Sequence, residues 1–142
     1  MGDEALLQRS VRTLAWLGDA AFERDVRWRV CRRGDYPVDR LDTIKADLVR
    51  AEAQAALLEA LDEHLTEDER AVVQRGRNAK TTSLRAKKDT QTYRSSTGFE
   101  ALVARWALLE GAWERYEALV VPRLEPMIDE AVARRAKKPR RG

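Results

Sequence analysis

Residues 8–32 read QRSVRTLAWLGDAAFERDVRWRVCR, and this stretch decides the fold. Leu14, Leu17, Ala21, Phe22, Val26 and Val30 recur with the helical period, lining up one apolar face. The spacing predicts a helix over about 8–32, stopped by the turn sequence Gly34-Asp35-Tyr36-Pro37. Downstream the same period predicts a helix over 38–63, with Leu41, Ile44, Leu48, Ala51, Ala55, Leu58 and Leu61 as its inner stripe. Thr66 with Glu69 reads as a capping box opening a short helix through Val72 and Val73 that Gly76 ends. Residues 77–94 lack a clean period and read as an exposed polar connection. A helix over 95–110 shows Phe99, Leu102, Val103, Trp106 and Leu109 on one face, and Gly111 marks a break. A last helix over 112–135 contains Pro122 and Pro126, so a kink or split is expected. The four Trp all fall on predicted helices, where core packing is their simplest role.

Composition agrees with one all-helical domain. Hydrophobic residues make up 44% and charged residues 36% of 142, with 7 Gly and 4 Pro. The opening Met1-Gly2-Asp3-Glu4 is acidic where a signal peptide is basic, and no apolar run approaches bilayer length. Cys31 is the only cysteine; it has no internal disulfide partner, and the only histidine, His64, lies far along the chain, which argues against thiol catalysis and suits a reducing cytoplasm.

Two carboxylates flank apolar stripes. Asp19 sits at the edge of the first helix's inner face, beside Gly18 and Ala20. Glu100 flanks the stripe of Phe99, Val103 and Trp106, beside Gly98 and Ala101. A partly buried carboxylate needs a partner. Either each pairs with an Arg or caps a helix, or the two share a divalent cation, and two hard oxygen ligands suit magnesium. Glu23, one turn after Asp19, reads as a surface salt bridge before it reads as an outer ligand.

Positive charge is gathered in two places. Residues 75–94 and 134–142 each carry an excess of six positive charges, against a net of +3, which leaves the rest of the chain at −9. That clustering is the footprint of a polyanion partner. The division expected is a catalytic or binding domain over 1–133 and a basic, disordered tail over 134–142.

Leu17-Gly18-Asp19-Ala20 together with Gly98-Phe99-Glu100-Ala101-Leu102 resembles the two signature helices of the ribonuclease III domain. Arg75-Gly76-Arg77-Asn78-Ala79-Lys80, followed by Tyr93-Arg94-Ser95-Ser96-Thr97 and the Gly98 motif, is similar to the Mini-ribonuclease III branch, which consists of the catalytic domain alone. The resemblance spans about residues 10–115. It implies an all-helical endonuclease domain that forms a homodimer around a valley holding double-stranded RNA. It implies magnesium, with manganese as a substitute, on Asp19 and Glu100, and hydrolysis leaving 5′-phosphate and 3′-hydroxyl ends. Ala15 and Thr97 stand where longer members of the family carry a glutamate and an aspartate, so fewer anionic ligands are expected here. Arg75, Arg77, Asn78, Lys80, Thr81, Arg85, Lys87, Lys88 and Arg94 are the expected RNA-binding residues, with Thr82 beside them. The implied substrate is the paired ends of the large-subunit (23S) ribosomal RNA precursor. Two rivals remain at this level: a non-catalytic RNA-binding module on the same fold, and a helical DNA-binding or protein-interaction domain.

Overall fold

The computed structural model describes residues 3–79 and 90–136, and among these only helices occur. The helices are α1 (Val11–Cys31), α2 (Val38–Val49), α3 (Ala51–Leu61), α4 (Glu67–Arg77), α5 (Thr90–Leu108), α6 (Trp113–Leu119) and α7 (Val121–Ala136). Short 3₁₀ segments cover Asp3–Gln8 and Asp62–His64. α5 is the central helix, with α1, α4 and α3 packed around it, while α7 lies against α2 and α6. The core is built from Leu14, Phe22, Val26, Leu57, Leu58, Phe99, Leu102 and Trp106, and Phe22 meets Phe99 edge to face at 5.1 Å. The all-helical reading of the sequence thus holds.

The start of α1 follows from Ser10, whose side chain accepts from the Thr13 N–H at 3.2 Å. The capping box at α4 forms as read: Thr66 accepts from the Glu69 N–H, and the Glu69 carboxylate accepts from the Thr66 N–H. Glu69 is only 5% exposed and also receives Trp106 Nε1 at 2.9 Å and Arg115. Burial alone would raise the Glu69 carboxyl. The bonds from Arg115, Thr66 and Trp106 outweigh it and hold the group down at about 2.

Four expectations give way, the first being the connection read over 77–94, since α5 already begins at Thr90. The helix expected over 38–63 is two helices, because Arg50 takes an extended backbone (ψ 160°) with no Gly or Pro to announce it. The break rotates the inner stripe, so Ala53, Gln54 and Leu57 are buried where Ala51 and Ala55 were expected. Gly76 does not end α4, which continues to Arg77; Gly76 is where the backbone of α5 comes close. And Arg134 and Arg135 are not tail. α7 runs on to Ala136, and both guanidinium groups reach Asp47 on α2, Arg135 at 2.7 Å and Arg134 at 3.3 Å. Burial would raise the Asp47 carboxyl, yet Arg135 and Arg134 hold it below its usual range. Residues 137–142 of the expected tail lie outside the described residues.

The proline reading stands. Pro122 has no N–H for the carbonyl one turn back, and the chain divides at Val120 into α6 and α7. Gly111 lies between α5 and α6 with φ +77°, a conformation that favours glycine. A polar seam ties this end to α1: the Tyr116 hydroxyl donates to Asp25 at 2.6 Å, Arg29 bridges Asp25 and Glu125, and Arg33 bonds Glu125 and Asp129.

Candidate functional site: two carboxylates where α1 meets α5

α1 and α5 cross at Gly18. A Cβ there would stand 1.7 Å from the Glu100 carbonyl oxygen and 3.0 Å from the Ala104 nitrogen, so only glycine admits this crossing. A second crossing sits one helix over, where a Cβ on Gly76 would lie 2.6 Å from the Gly98 Cα, and one on Gly98 would lie 2.9 Å from the Val73 carbonyl. Three glycines therefore bring α1, α5 and α4 together backbone to backbone. The residues next to them, Asp19 and Glu100, emerge side by side at the mouth of the crossing.

Asp19 is exposed and Glu100 is half-buried. Burial, and next the adjacent Asp19 charge, push the Glu100 carboxyl up to about 8, although the Gln54 amide works in the opposite direction. Among the described residues no Lys or Arg forms an ion pair with either carboxylate. The reading in which each pairs with an Arg is thus set aside among those residues. Two like charges left together without a counter-ion must share a proton or a cation, and a pair of carboxylate oxygens is a hard donor set suited to magnesium. The site offers two anionic ligands: no group of three or more acidic, His or Cys side chains suited to a metal occurs among the described residues. Ala15 and Thr97, one turn before each carboxylate, are both buried, and the Thr97 hydroxyl is turned away to the Tyr93 carbonyl at 3.1 Å.

The carboxylates open into a cleft of about 310 Å³. Ala15, Gly76, Ala79 and Thr97 line it with small side chains; Arg12 and Arg94 supply positive charge, and Trp16 and Tyr93 supply aromatic surface. Of the expected RNA-binding residues, Arg94 lines this cleft, while Arg75, Arg77 and Asn78 close α4 at its rim, next to Gly76 and Ala79. Lys80, Thr81, Thr82, Arg85, Lys87 and Lys88 lie outside the described residues. Arg12 escaped the sequence reading, and Tyr93 entered it only as part of a motif, not as a site residue. Arg12 precedes Asp19 by seven residues, two helical turns, and that register was its available signal. Glu23 pairs with Arg27 at 2.6 Å, as expected for a surface salt bridge. Cys31 is exposed.

Core packing accounts for Trp106, but not for Trp16 or Trp28, which are 74% and 51% exposed. Helical periodicity placed both on α1 without saying that their side faces outward. With Ala20 and Arg24 they form a stripe along that helix, edged by a groove of about 470 Å³, and the Arg24 guanidinium stacks 4.1 Å above the Trp28 ring. Trp16 lines both this groove and the carboxylate cleft.

Residues 12–111 match the Ribonuclease III domain family. Among curated proteins, the chain is similar to a protein named Mini-ribonuclease 3 from Symbiobacterium thermophilum, at 48% identity over 72% of this chain and 78% of that one. Proteins of the same name from Enterococcus faecalis and Thermoanaerobacter sp. are 38% and 33% identical, over 75% and 82% of this chain and 82% of each of them. The fold is similar to the crystal structure of a protein from Fusobacterium nucleatum, with a TM-score of 0.76 and 21% identity over 88% of this chain and 96% of that one.

Proposed function

The chain belongs to the ribonuclease III family of endoribonucleases, and from that premise we propose that it cuts double-stranded RNA with magnesium held between Asp19 and Glu100. The observation that carries this reading is the meeting of two carboxylates from separate helices, without a cationic partner among the described residues, at the mouth of a cleft lined by Arg12 and Arg94. Magnesium bound there would supply activation of water for attack on phosphorus and charge neutralisation at the departing 3′ oxygen.

The chain's own residues do the rest. Arg12 and Arg94 meet phosphates of the strand being cut. Arg75, Arg77 and Asn78 meet the backbone farther along, and Lys80, Thr81, Arg85, Lys87 and Lys88 complete the set of RNA-binding residues. Recognition of an A-form duplex through its backbone and 2′-hydroxyls makes sequence preference modest. The small residues of the cleft leave room for the backbone to approach the carboxylates. Products carry 5′-phosphate and 3′-hydroxyl ends.

The functional unit is a homodimer, with the Trp16–Trp28 stripe as its seam. Two large aromatics exposed along one helix are costly to leave in water, and isolated chains seldom carry such a patch without a partner. Because Trp16 borders the cleft, a second copy seated on the stripe would extend each cleft into a groove long enough for a duplex. The substrate in the cell is the paired ends of the large-subunit (23S) ribosomal RNA precursor, in the cytoplasm; support for this comes from the likeness to the Mini-ribonuclease III branch.

A labelled RNA duplex incubated with the protein and magnesium tests the reading. Cleavage that requires the metal and disappears in both Asp19→Asn and Glu100→Gln supports it. Binding without cleavage by the wild-type protein sinks it in favour of a non-catalytic RNA-binding module, and preference for duplex DNA sinks it in favour of a DNA-binding domain.

A further inference from the structure

Tyr93 lines the carboxylate cleft, yet it carries no charge and is no metal ligand. It stands in the first turn of α5, four residues before Thr97 and seven before Glu100, so the three share one face of that helix. Its carbonyl oxygen accepts from Ser96 Oγ at 2.8 Å and from Thr97 Oγ1 at 3.1 Å, and both of those side chains are buried. Two hydroxyls close to the cleft are therefore spent on the helix itself. The Tyr93 hydroxyl is not: no hydrogen bond to it occurs among the described residues.

The other polar groups of the cleft read charge. Arg12 and Arg94 suit phosphate, and Asp19 and Glu100 suit a cation. Phosphates are alike in RNA and DNA, so contacts to them do not tell one from the other. The ribose 2′-hydroxyl does, and it is a neutral group that both donates and accepts. A phenol has the same two capacities, whereas the indole of Trp16 only donates and lies on the proposed seam. Resting on the reading of Asp19 and Glu100 as the site of RNA cleavage, we propose that Tyr93 is a specificity-determining residue whose hydroxyl hydrogen-bonds the 2′-hydroxyl of a ribose beside the phosphate being cut. Two helical turns, about 10 Å along the axis, separate Tyr93 from Glu100. That spacing puts the phenol within reach of a flanking sugar and leaves the phosphate itself to the metal.

The test is single-turnover cleavage at saturating magnesium of RNA duplexes that differ only in one ribose near the cut, replaced by deoxyribose at each position in turn. In wild type one such position is expected to slow cleavage about three-fold to ten-fold, the worth of one ordinary hydrogen bond. Tyr93→Phe is expected to cut the all-ribose duplex more slowly by the same factor, to lose the penalty at that position and to keep any penalty elsewhere. Its manganese affinity and melting temperature are expected to match wild type, since the hydroxyl removed has no partner among the described residues. A Tyr93→Phe protein that keeps the wild-type penalty at every position, whatever its overall rate, overturns the proposal. So does a wild type that cuts every duplex equally fast. Both results leave the two-carboxylate site standing, because the duplexes are still cut. Wild type that cuts none of them with magnesium overturns the cleavage reading and this proposal together. Should Tyr93→Phe not fold, Tyr93→Leu, which also lacks the hydroxyl, carries the same expectation and the same refutation.

Discussion

Gly18 and Glu100 touch through their backbones: the hydrogen on the Gly18 Cα faces the Glu100 carbonyl so closely that a methyl group in its place would lie 1.7 Å from the oxygen. The contact sets the position of Asp19, the next residue on α1, relative to the Glu100 side chain. Gly18→Ala must push α1 off α5. Overpacking of this kind costs about 1–3 kcal/mol, offset by about 1 kcal/mol of better helix propensity. A net loss of about 2 kcal/mol or less in urea unfolding is expected, together with a loss of manganese binding far larger than that stability change would explain. Wild-type metal affinity in this variant would show that the crossing does not position the pair.

Glu100 gives a pH dependence of defined sign. Its carboxyl is raised from 4.5 to about 8 in the folded, metal-free protein. A raised acid stabilises the fold fully below about 4.5, and that contribution is lost as the pH climbs through about 8. Melting temperature in EDTA is therefore expected to fall between pH 5 and pH 8 in wild type. Glu100→Gln, which stays neutral, is expected to remove that slope and to melt higher than wild type at pH 8 while being inactive. Equal slopes in the two proteins would contradict the placement of Glu100 beside Asp19.

Glu69 works in the other direction. It is held at about 2 by Arg115, the Thr66 N–H and Trp106, so its contribution is present above about 4.5 and disappears as the pH drops toward 2. Glu69→Ala breaks the capping box and strands the Trp106 N–H in the core. A loss of about 2–3 kcal/mol at pH 7 is expected from these hydrogen bonds, read by chemical denaturation. The difference from wild type is expected to shrink at pH 3.

The cleft cations are read by salt. Each phosphate contact on a duplex contributes about 0.9 to the slope of log affinity against log salt. Arg12→Ala with Arg94→Ala is expected to flatten the slope by about 2, measured by duplex binding in an Asp19→Asn background. Lys80, Lys87 and Lys88 changed together to Ala are expected to flatten it by up to about 3. An unchanged slope removes the group concerned from the binding surface.

Trp28→Glu places a charge in the α1 stripe, away from the carboxylate cleft. Sedimentation is expected to show wild type as a dimer and Trp28→Glu as a monomer, with cleavage of duplex RNA by the variant reduced at least ten-fold. A variant that sediments like wild type would remove the stripe as the proposed seam.

The sequence made most of the helices legible, because apolar residues at helical spacing report burial within the chain. It singled out Asp19 and Glu100 for a related reason, since each stands at the edge of such a stripe next to a small residue, but spacing left ion pairing and metal binding both open, and the proposed metal role came from the family resemblance. What it hid follows from the same logic. The break at Arg50 carries neither Gly nor Pro, so periodicity ran straight through it and put Ala51 and Ala55 on the inner stripe. Trp16 and Trp28 look like core residues because large apolar side chains carry no label for which surface covers them. Gly76 read as a stop signal when it was a point of contact, since the partner backbone lies more than twenty residues away in the chain. The pairing of Arg134 and Arg135 with Asp47 was hidden by a still longer separation, 87 and 88 residues.

Most enzymes hang their reactive groups on loops that soften before the body of the protein melts. Here Asp19 and Glu100, the proposed metal ligands, ride on the two helices that Gly18 brings together backbone to backbone, with no hinge between them and the scaffold. Heating is thus expected to silence the enzyme and unravel it at one temperature, and selection for a faster variant will have little slack to exploit around positions 18, 76 and 98.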